Sequence, residues 1–276
     1  MDNKLTETGS SNRRVAAVPI WIKPYLTIEE AAEHIVNWSA GKDSSAMLIR
    51  MVEEDMPIDD IVFIEVMATP TLGAELPEVY EYISKMERYI GRKITVVRSG
   101  LDFDTVFHQT YESGQRAGTM YGFPFTIGAW CNDRLKLRTI RQHFKTYGEH
   151  IRYIGLAADE PKRLARLPPF CRAPLAEWGM TEQDCVEFLK KRDMLNPLYQ
   201  KFKRLGCWFC VKQSLDSLRI LRKDYPDYWA MLLAWDKESP RTFKPKCTVA
   251  QLEQRFAMED RQLKILTGDE PQQKAA

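Results

Sequence analysis

The feature that most limits what this chain can fold into is an alternation of short apolar runs with helical stretches. His34-Ile35-Val36-Asn37-Trp38, Ile61-Val62-Phe63-Ile64-Glu65-Val66, Lys93-Ile94-Thr95-Val96-Val97 and Ile151-Arg152-Tyr153-Ile154-Gly155 read as buried strands. Helical patterns lie near 44–55, 76–90, 102–114 and 130–147. This order predicts an α/β fold: a parallel, twisted, Rossmann-like sheet with helices on both faces. Ligands in such sheets bind at the carboxyl ends of the strands, so the loops after the four runs are the first places to search. From about residue 181 the pattern becomes helical. Thr181 with Asp184 forms a capping-box-like start, and helices are predicted at 182–192, 214–223, 226–237 and 249–265. The expected organisation is a flexible segment over 1–18, an α/β domain over 19–180, a helical, Cys-bearing C-terminal part over 181–267 and a flexible tail over 268–276.

The loop after the first run is Ser39-Ala40-Gly41-Lys42-Asp43-Ser44-Ser45. Small residues let the backbone approach an anion, Gly41 allows a left-handed turn, and the N–H groups of the turn and following helix point at that anion. Lys42 adds a full positive charge, and Ser44 and Ser45 add hydroxyl donors. A phosphate group suits this equipment. The Walker A pattern would need Gly at position 36, which is Val36. The competing reading is a helix start capped by Asp43 or Ser44, with Lys42 solvated.

Composition narrows the partners. Lys plus Arg number 40 and Asp plus Glu 38, a net charge of only +2, so any affinity for phosphate must come from a local patch. No apolar run approaches the roughly 18–20 residues of a membrane span, and MDNKLTETGSSNRR has no apolar segment of the secretory kind. A cytoplasmic setting is expected. There, six cysteines read as metal ligands, reactive thiols or core residues before disulfides.

Ser39-Ala40-Gly41-Lys42-Asp43-Ser44 resembles the Ser-Gly-Gly-Lys-Asp-Ser loop of the PP-loop ATP pyrophosphatases, and within them the phosphoadenosine phosphosulfate (PAPS) reductase family. Further stretches follow in that family's order: Val62-Phe63-Ile64-Glu65 with Glu75-Leu76-Pro77-Glu78, Trp130-Cys131 with Leu135-Lys136, and Gly155 with Asp159-Glu160 and Lys162-Arg163. Pro174-Leu175, Trp178, Asp184, Pro197-Leu198-Tyr199 and Gly206-Cys207-x-x-Cys210 complete a span of roughly 34–212. The resemblance implies an adenine nucleotide α-hydrolase-like fold. It also implies ATP or an adenylyl sulfate compound bound with its phosphates on residues 39–45, with Lys136 a further nucleotide contact. PP-loop enzymes split ATP between the α and β phosphates and so activate a substrate as its adenylate. On that basis Lys42, Asp43 and Arg163 are the expected catalytic residues, with Asp43 helping to place Mg²⁺, and the activity is sulfur transfer, with a nucleic-acid acceptor or a sulfur-donor protein as partner. Two alternatives stand beside it: thiol-dependent reduction of (phospho)adenylyl sulfate, and a nucleotide-sensing or partner-binding module without turnover. Ala157 stands where the family has an anion-facing Arg, and Pro161 where it has Ser. The reductases' Glu-Cys-Gly-(Ile/Leu)-His segment is absent from the sequence, leaving Cys247 as the one candidate nucleophile for reduction.

Cys207-Trp208-Phe209-Cys210 presents two convergent thiols. A tetrahedral site needs two more ligands; Cys131, at a predicted helix start where a thiolate is favoured, and Cys171 are the candidates. Zinc, an iron–sulfur cluster, a redox pair and simple buried thiols all remain open. Cys185 lies on a core face with Phe188 and Leu189. On a regular helix through 130–147, Trp130, Leu137, Ile140, Phe144 and Tyr147 share one arc, and Arg134, Arg138, Arg141 and Lys145 the adjoining one. That stripe is either a solvated face or a contact for a phosphate-bearing partner.

Overall fold

The computed structural model describes residues 32–267 of the chain. The segment boundaries expected at 18/19 and the tail after 267 lie outside the described residues. Five strands form one parallel sheet in the order β3-β2-β1-β4-β5: β1 Glu33–Trp38, β2 Asp60–Glu65, β3 Thr95–Arg98, β4 His150–Ile154 and β5 Cys171–Arg172. The four strands read from the sequence are all present. β5, with two residues, is too short to leave a pattern. β1 is central: Ile35, Val36 and Trp38 are all buried, as befits a strand covered on both faces.

Helices fill the connections. They are α1 Lys42–Glu53, α2 Pro77–Ile90, α3 Phe103–His108, α4 Arg138–Phe144, α5 Pro161–Leu164 and α6 Pro174–Glu177. The C-terminal part carries α7 Glu182–Lys191, a 3₁₀ turn Pro197–Gln200, α8 Leu215–Asp224, α9 Pro226–Glu238 and α10 Val249–Thr267. α2 starts on Pro77 and ends on Gly91 with φ 67°, the expected asymmetry of helix ends. The Thr181–Asp184 capping box is formed in both directions. One hydrophobic core runs from Met47 of α1 and Phe63 of β2 through Leu189 to Trp208, Leu232 and Phe256, so the helical part packs directly on the α/β part. No helix among the described residues is long and apolar enough to cross a membrane.

Two helical expectations need correction. The stretch 102–114 is helical only to His108; Gly114 and Gly118 then adopt φ 82° and 76°, and the chain turns back on itself through bridges Thr110–Met120 and Tyr111–Ala117. The helix from Trp130 is not regular either. Asn132–Leu137 is a π-helical segment, in which the Arg138 N–H donates to the Asp133 carbonyl five residues back. The wider turn shifts the phase of the side chains. Leu135 is therefore fully buried, and Leu137, expected on the apolar arc, is 38 % exposed. The arginine stripe divides for the same reason: Arg138 pairs with Asp133, and Arg134 donates to Gln109 Oε1.

Candidate functional site

β2 and β3 lie on one side of β1, β4 and β5 on the other. The strand order reverses at β1, and a crevice opens at the carboxyl ends there. A cavity of about 390 Å³ occupies that place, walled by Asn37, Ser39, Gly41, Asp43, Ser44 and Gly155, with Arg163 from α5. The Asn37 side-chain oxygen is buried with no hydrogen-bond partner.

The 39–45 loop is tightly built. Its left-handed residue is Ala40, φ 58°, and not Gly41, which is extended at φ −81°. The Ala40 carbonyl accepts a hydrogen bond from Asn196 Nδ2 at 3.3 Å. The Ser39 N–H donates to Ser44 Oγ at 3.2 Å, and Ser44 Oγ donates in turn to the Gly41 carbonyl at 3.2 Å. Neither Asp43 nor Ser44 caps α1, which removes that cap as the loop's explanation; the Lys42 N–H instead donates to the hydroxyl of the distant Tyr199 at 3.0 Å. Ser39, Gly41, Asp43 and Ser44 line the cavity, whereas Ala40, Lys42 and Ser45 do not. Ser45 is turned into the core, where its hydroxyl accepts from Trp38 Nε1 at 3.0 Å. Its expected role as a donor at the cavity does not match that position.

The Lys42 ammonium bridges Asp43, at 2.8 Å, and Glu182 of α7, at 2.6 Å. Burial by itself would lower its pKa, but the hydrogen bonds and charges of those two carboxylates more than offset this and hold it above the ordinary lysine value. Burial raises the Asp43 pKa, against the opposing pull of Lys42, and Glu182 and Glu160 add to the rise. Arg163 pairs with Glu160, which also accepts from the Ala157 N–H at 3.2 Å. Ala157 is fully buried, so the cation at this edge of the cavity is Arg163. Lys162 does not reach the cavity wall. Gly155, at the end of β4, is required by space: a Cβ there would lie 2.6 Å from the Ser44 backbone nitrogen.

A second cavity, of about 470 Å³, carries Cys131, Cys207 and Cys210 on its wall, with Arg204 and Lys212. Asn132, Lys136 and Leu137 line both cavities, which makes the π segment their common wall. Such segments are frequent at functional sites. Lys136 lies buried beside Cys207, Glu75, Cys131 and Cys210, and its pKa is raised by the anionic forms of these groups, Cys207 most, against the cost of burial. Burial pushes Cys131 up to about 11 and Cys207 up to about 12. The helix start therefore does not make Cys131 a thiolate: desolvation outweighs its backbone hydrogen bonds.

Cys171 stands apart on β5, its thiol beside Arg152. Among the described residues no group of three or more His, Cys, Asp or Glu side chains is arranged to hold a metal ion. As arranged, Cys131, Cys171, Cys207 and Cys210 do not form a ligand set for zinc or for an iron–sulfur cluster. Cys247 lines neither cavity and sits in a tight turn, where Lys244 and Cys247 exchange backbone hydrogen bonds of 2.9 and 3.0 Å. Cys185 is fully buried, as its core spacing implied.

Glu182 and Asn132 are site residues that sequence reasoning missed, and Glu160, quoted with Asp159 in the family stretch, was given no role there. The capping box fixed where α7 begins, and hence that Glu182 is its first residue, but not which loop that helix end faces.

The chain is 26 % identical over 213 residues to nin region protein ORF290 of Escherichia phage lambda, covering 69 % of this chain and 70 % of that one. It is 24 % identical over 264 residues to a 37.8 kDa protein of Escherichia phage 186, covering 75 % of each. Among solved structures it is similar to the U34-tRNA thiolase NcsA from Methanococcus maripaludis with its 4Fe–4S cluster, at a TM-score of 0.37 and 12 % identity, covering 82 % of this chain and 81 % of that one. The model of the phosphoadenosine phosphosulfate reductase domain matches residues 33–213, a span that holds the 39–45 loop, Gly155 and all three thiols of the second cavity. The chain belongs to the phosphoadenosine phosphosulfate reductase domain family.

Proposed function

We propose that this protein is a PP-loop enzyme that binds MgATP in the cavity at the ends of β1 and β4 and uses it to transfer sulfur to a nucleic acid. The observation that carries the reading is the shared wall: Asn132, Lys136 and Leu137 face both the loop cavity and the thiol cavity. An adenylate formed on one side would thus lie next to sulfur chemistry on the other. In the first step an acceptor oxygen attacks the α-phosphorus, the α–β bridging bond breaks, and pyrophosphate leaves with its electrons. A sulfur nucleophile from a donor protein then displaces AMP from the acceptor. The backbone N–H groups of the loop and first turn of α1 that are not already held by Tyr199 and Ser44 would stabilise the departing pyrophosphate.

Charge favours ATP carried with magnesium as the substrate. Asp43, Glu160 and Glu182 only balance Lys42, Arg163 and Lys136 around the cavity. A bare polyphosphate would meet no net positive charge from these side chains, whereas the magnesium complex brings its own. Lys42 and Arg163 would exchange a carboxylate partner for phosphate oxygens as the nucleotide binds. The reductase alternative asks Cys247 to travel, and its closed turn opposes that.

The test is pyrophosphate release from ATP, with binding followed by calorimetry. Lys42→Ala is expected to lower turnover by roughly 10²–10³-fold, the usual effect of removing one charge-stabilising donor. ATP bound without pyrophosphate release would point to the sensing module that Ala157 suggested. Sulfite release lost in Cys247→Ser would restore the reductase. A failure to bind ATP at all would end the proposal.

A further inference from the structure

The loop from Gln109 to Ala129 forms a surface that the nucleotide reading does not use. Tyr111 and Tyr121 stack at 4.1 Å, and the Arg134 guanidinium lies 4.7 Å over Tyr121. Arg116 and Arg241 lie 4.6 and 4.0 Å from the ring of Phe125, and Arg241 donates to the Tyr111 hydroxyl at 2.6 Å. Phe125 is 44 % exposed and Ile127 91 % exposed. An open cavity walled by Tyr111, Glu112, Tyr121 and Arg134 continues the surface on one side. Pro124, Gly128 and Ala129 of the same loop form the rim of the thiol cavity, which Arg204 and Lys212 also line.

Two properties define the partner. First, Arg116, Arg134 and Arg241 have no carboxylate at ion-pair distance among the described residues, whereas Arg138, Arg192, Arg219 and Arg222 each have one. In a chain of net charge +2 this is a local excess that fits a polyanion. Second, the guanidiniums lie over aromatic rings, so the surface gathers planar groups that other planar groups can pack against. Phosphates joined to exposed planar groups describe unpaired nucleotides; a duplex hides its base faces, and unpaired loops are a standing feature of folded RNA.

We infer that the Tyr111–Arg116–Phe125–Arg241 surface docks the unpaired loop of an RNA and leads it to the rim of the thiol cavity. The inference rests on the reading above only for what the RNA is delivered to; the binding itself needs no ATP.

The test is fluorescence anisotropy with a labelled RNA hairpin carrying an unpaired loop, its blunt duplex and the DNA hairpin of the same sequence. The RNA hairpin is expected to bind at least about tenfold tighter than the duplex, and Arg116→Ala to weaken it by about tenfold, the scale of one stacking contact. The salt slope of log K should be near −2, from three phosphate contacts at about 0.7 each. Arg116→Lys, which keeps the charge and loses the plane, should retain the slope and lose about threefold in affinity. Arg116 is exposed, so these variants should fold, and Lys190→Ala, an exposed charge on α7, should bind as the wild type does. Equal binding of the duplex, equal binding of the DNA hairpin, or an unchanged Arg116→Ala would overturn the inference. ATP binding measured separately keeps the two readings apart: RNA binding lost with ATP binding kept sinks only the surface, and the reverse sinks only the nucleotide site.

Discussion

The two cavities on either side of the π segment hold their reactive groups in opposite ways. In the loop cavity the cations are already engaged: Lys42 by Asp43 and Glu182, Arg163 by Glu160. In the thiol cavity Cys131 and Cys207 are kept neutral by burial around the ammonium of Lys136. A ligand of the first must exchange ion pairs. A ligand of the second that binds through sulfur must draw protons off it, which makes such binding steeply pH-dependent. The difference follows from where the groups sit: charges at a helix end and loop find partners, whereas thiols enclosed by Phe103, Phe209 and Val211 lose the water that would stabilise a thiolate.

The largest effect expected from this contrast is on thiol reactivity. The thiolate is the form that alkylates. With folded pKa values raised to about 11 and about 12, Cys131 and Cys207 are almost wholly protonated at neutral pH. At pH 8 their alkylation by iodoacetamide, followed by mass spectrometry, should be at least ~100-fold slower than that of free cysteine with its pKa near 8.5. The rate should climb about tenfold per pH unit until the folded pKa is reached. A rate that matches free cysteine, or one flat with pH, breaks the contrast between the two cavities.

A smaller effect, confined to the loop cavity, is expected from Gly155→Ala. The added methyl would meet backbone atoms of Ser44 at 2.6 and 2.7 Å, and backbone cannot rotate away as a side chain can. Thermal or urea unfolding should show a loss of about 2–3 kcal/mol, in the range of overpacked cores. Nucleotide affinity should fall with it, while the pH profile of Cys207 alkylation stays as it was. A change in that profile would mean that the two cavities are one coupled site.

How much of this was legible in the sequence depends on how local each feature is. The four longer strands, the α1 start and the Thr181 cap are written in adjacent residues, and so is the 39–45 loop. Gly155 stood in a recognisable stretch, although its reason, contact with α1, is tertiary. Glu182 and Tyr199 reach the loop only after the chain has crossed the sheet; nothing near Glu182 announces it, and the Pro197-Leu198-Tyr199 stretch marks the family without saying what Tyr199 touches. The π segment defeated a reading based on a period of 3.6: one wider turn moved Leu137 out and Leu135 in. It also carried Lys136 to the shared wall, where only the family motif had singled it out. Three thiols meet in one cavity, but Cys171, the second candidate for a further ligand, ends on the far edge strand β5.

The smallest effect sharpens the comparison most closely, because it sets two methyl groups of the same loop region against each other. At position 155 a methyl is excluded although the backbone is ordinary. At position 40 a methyl is present although φ is 58°. The left-handed conformation costs a non-glycine residue about 1–2 kcal/mol. Against that, the Ala40 methyl is buried in the core, worth about 0.8 kcal/mol, and alanine restricts the unfolded chain by a further 0.4–1 kcal/mol or so relative to glycine. These terms nearly cancel, so Ala40→Gly should change the unfolding free energy by no more than about 0.5 kcal/mol and leave ATP affinity unaltered. A gain well beyond that would show that the burial of the methyl contributes little and that the loop is strained at Ala40; a comparable loss would show that the methyl anchors the loop to the core.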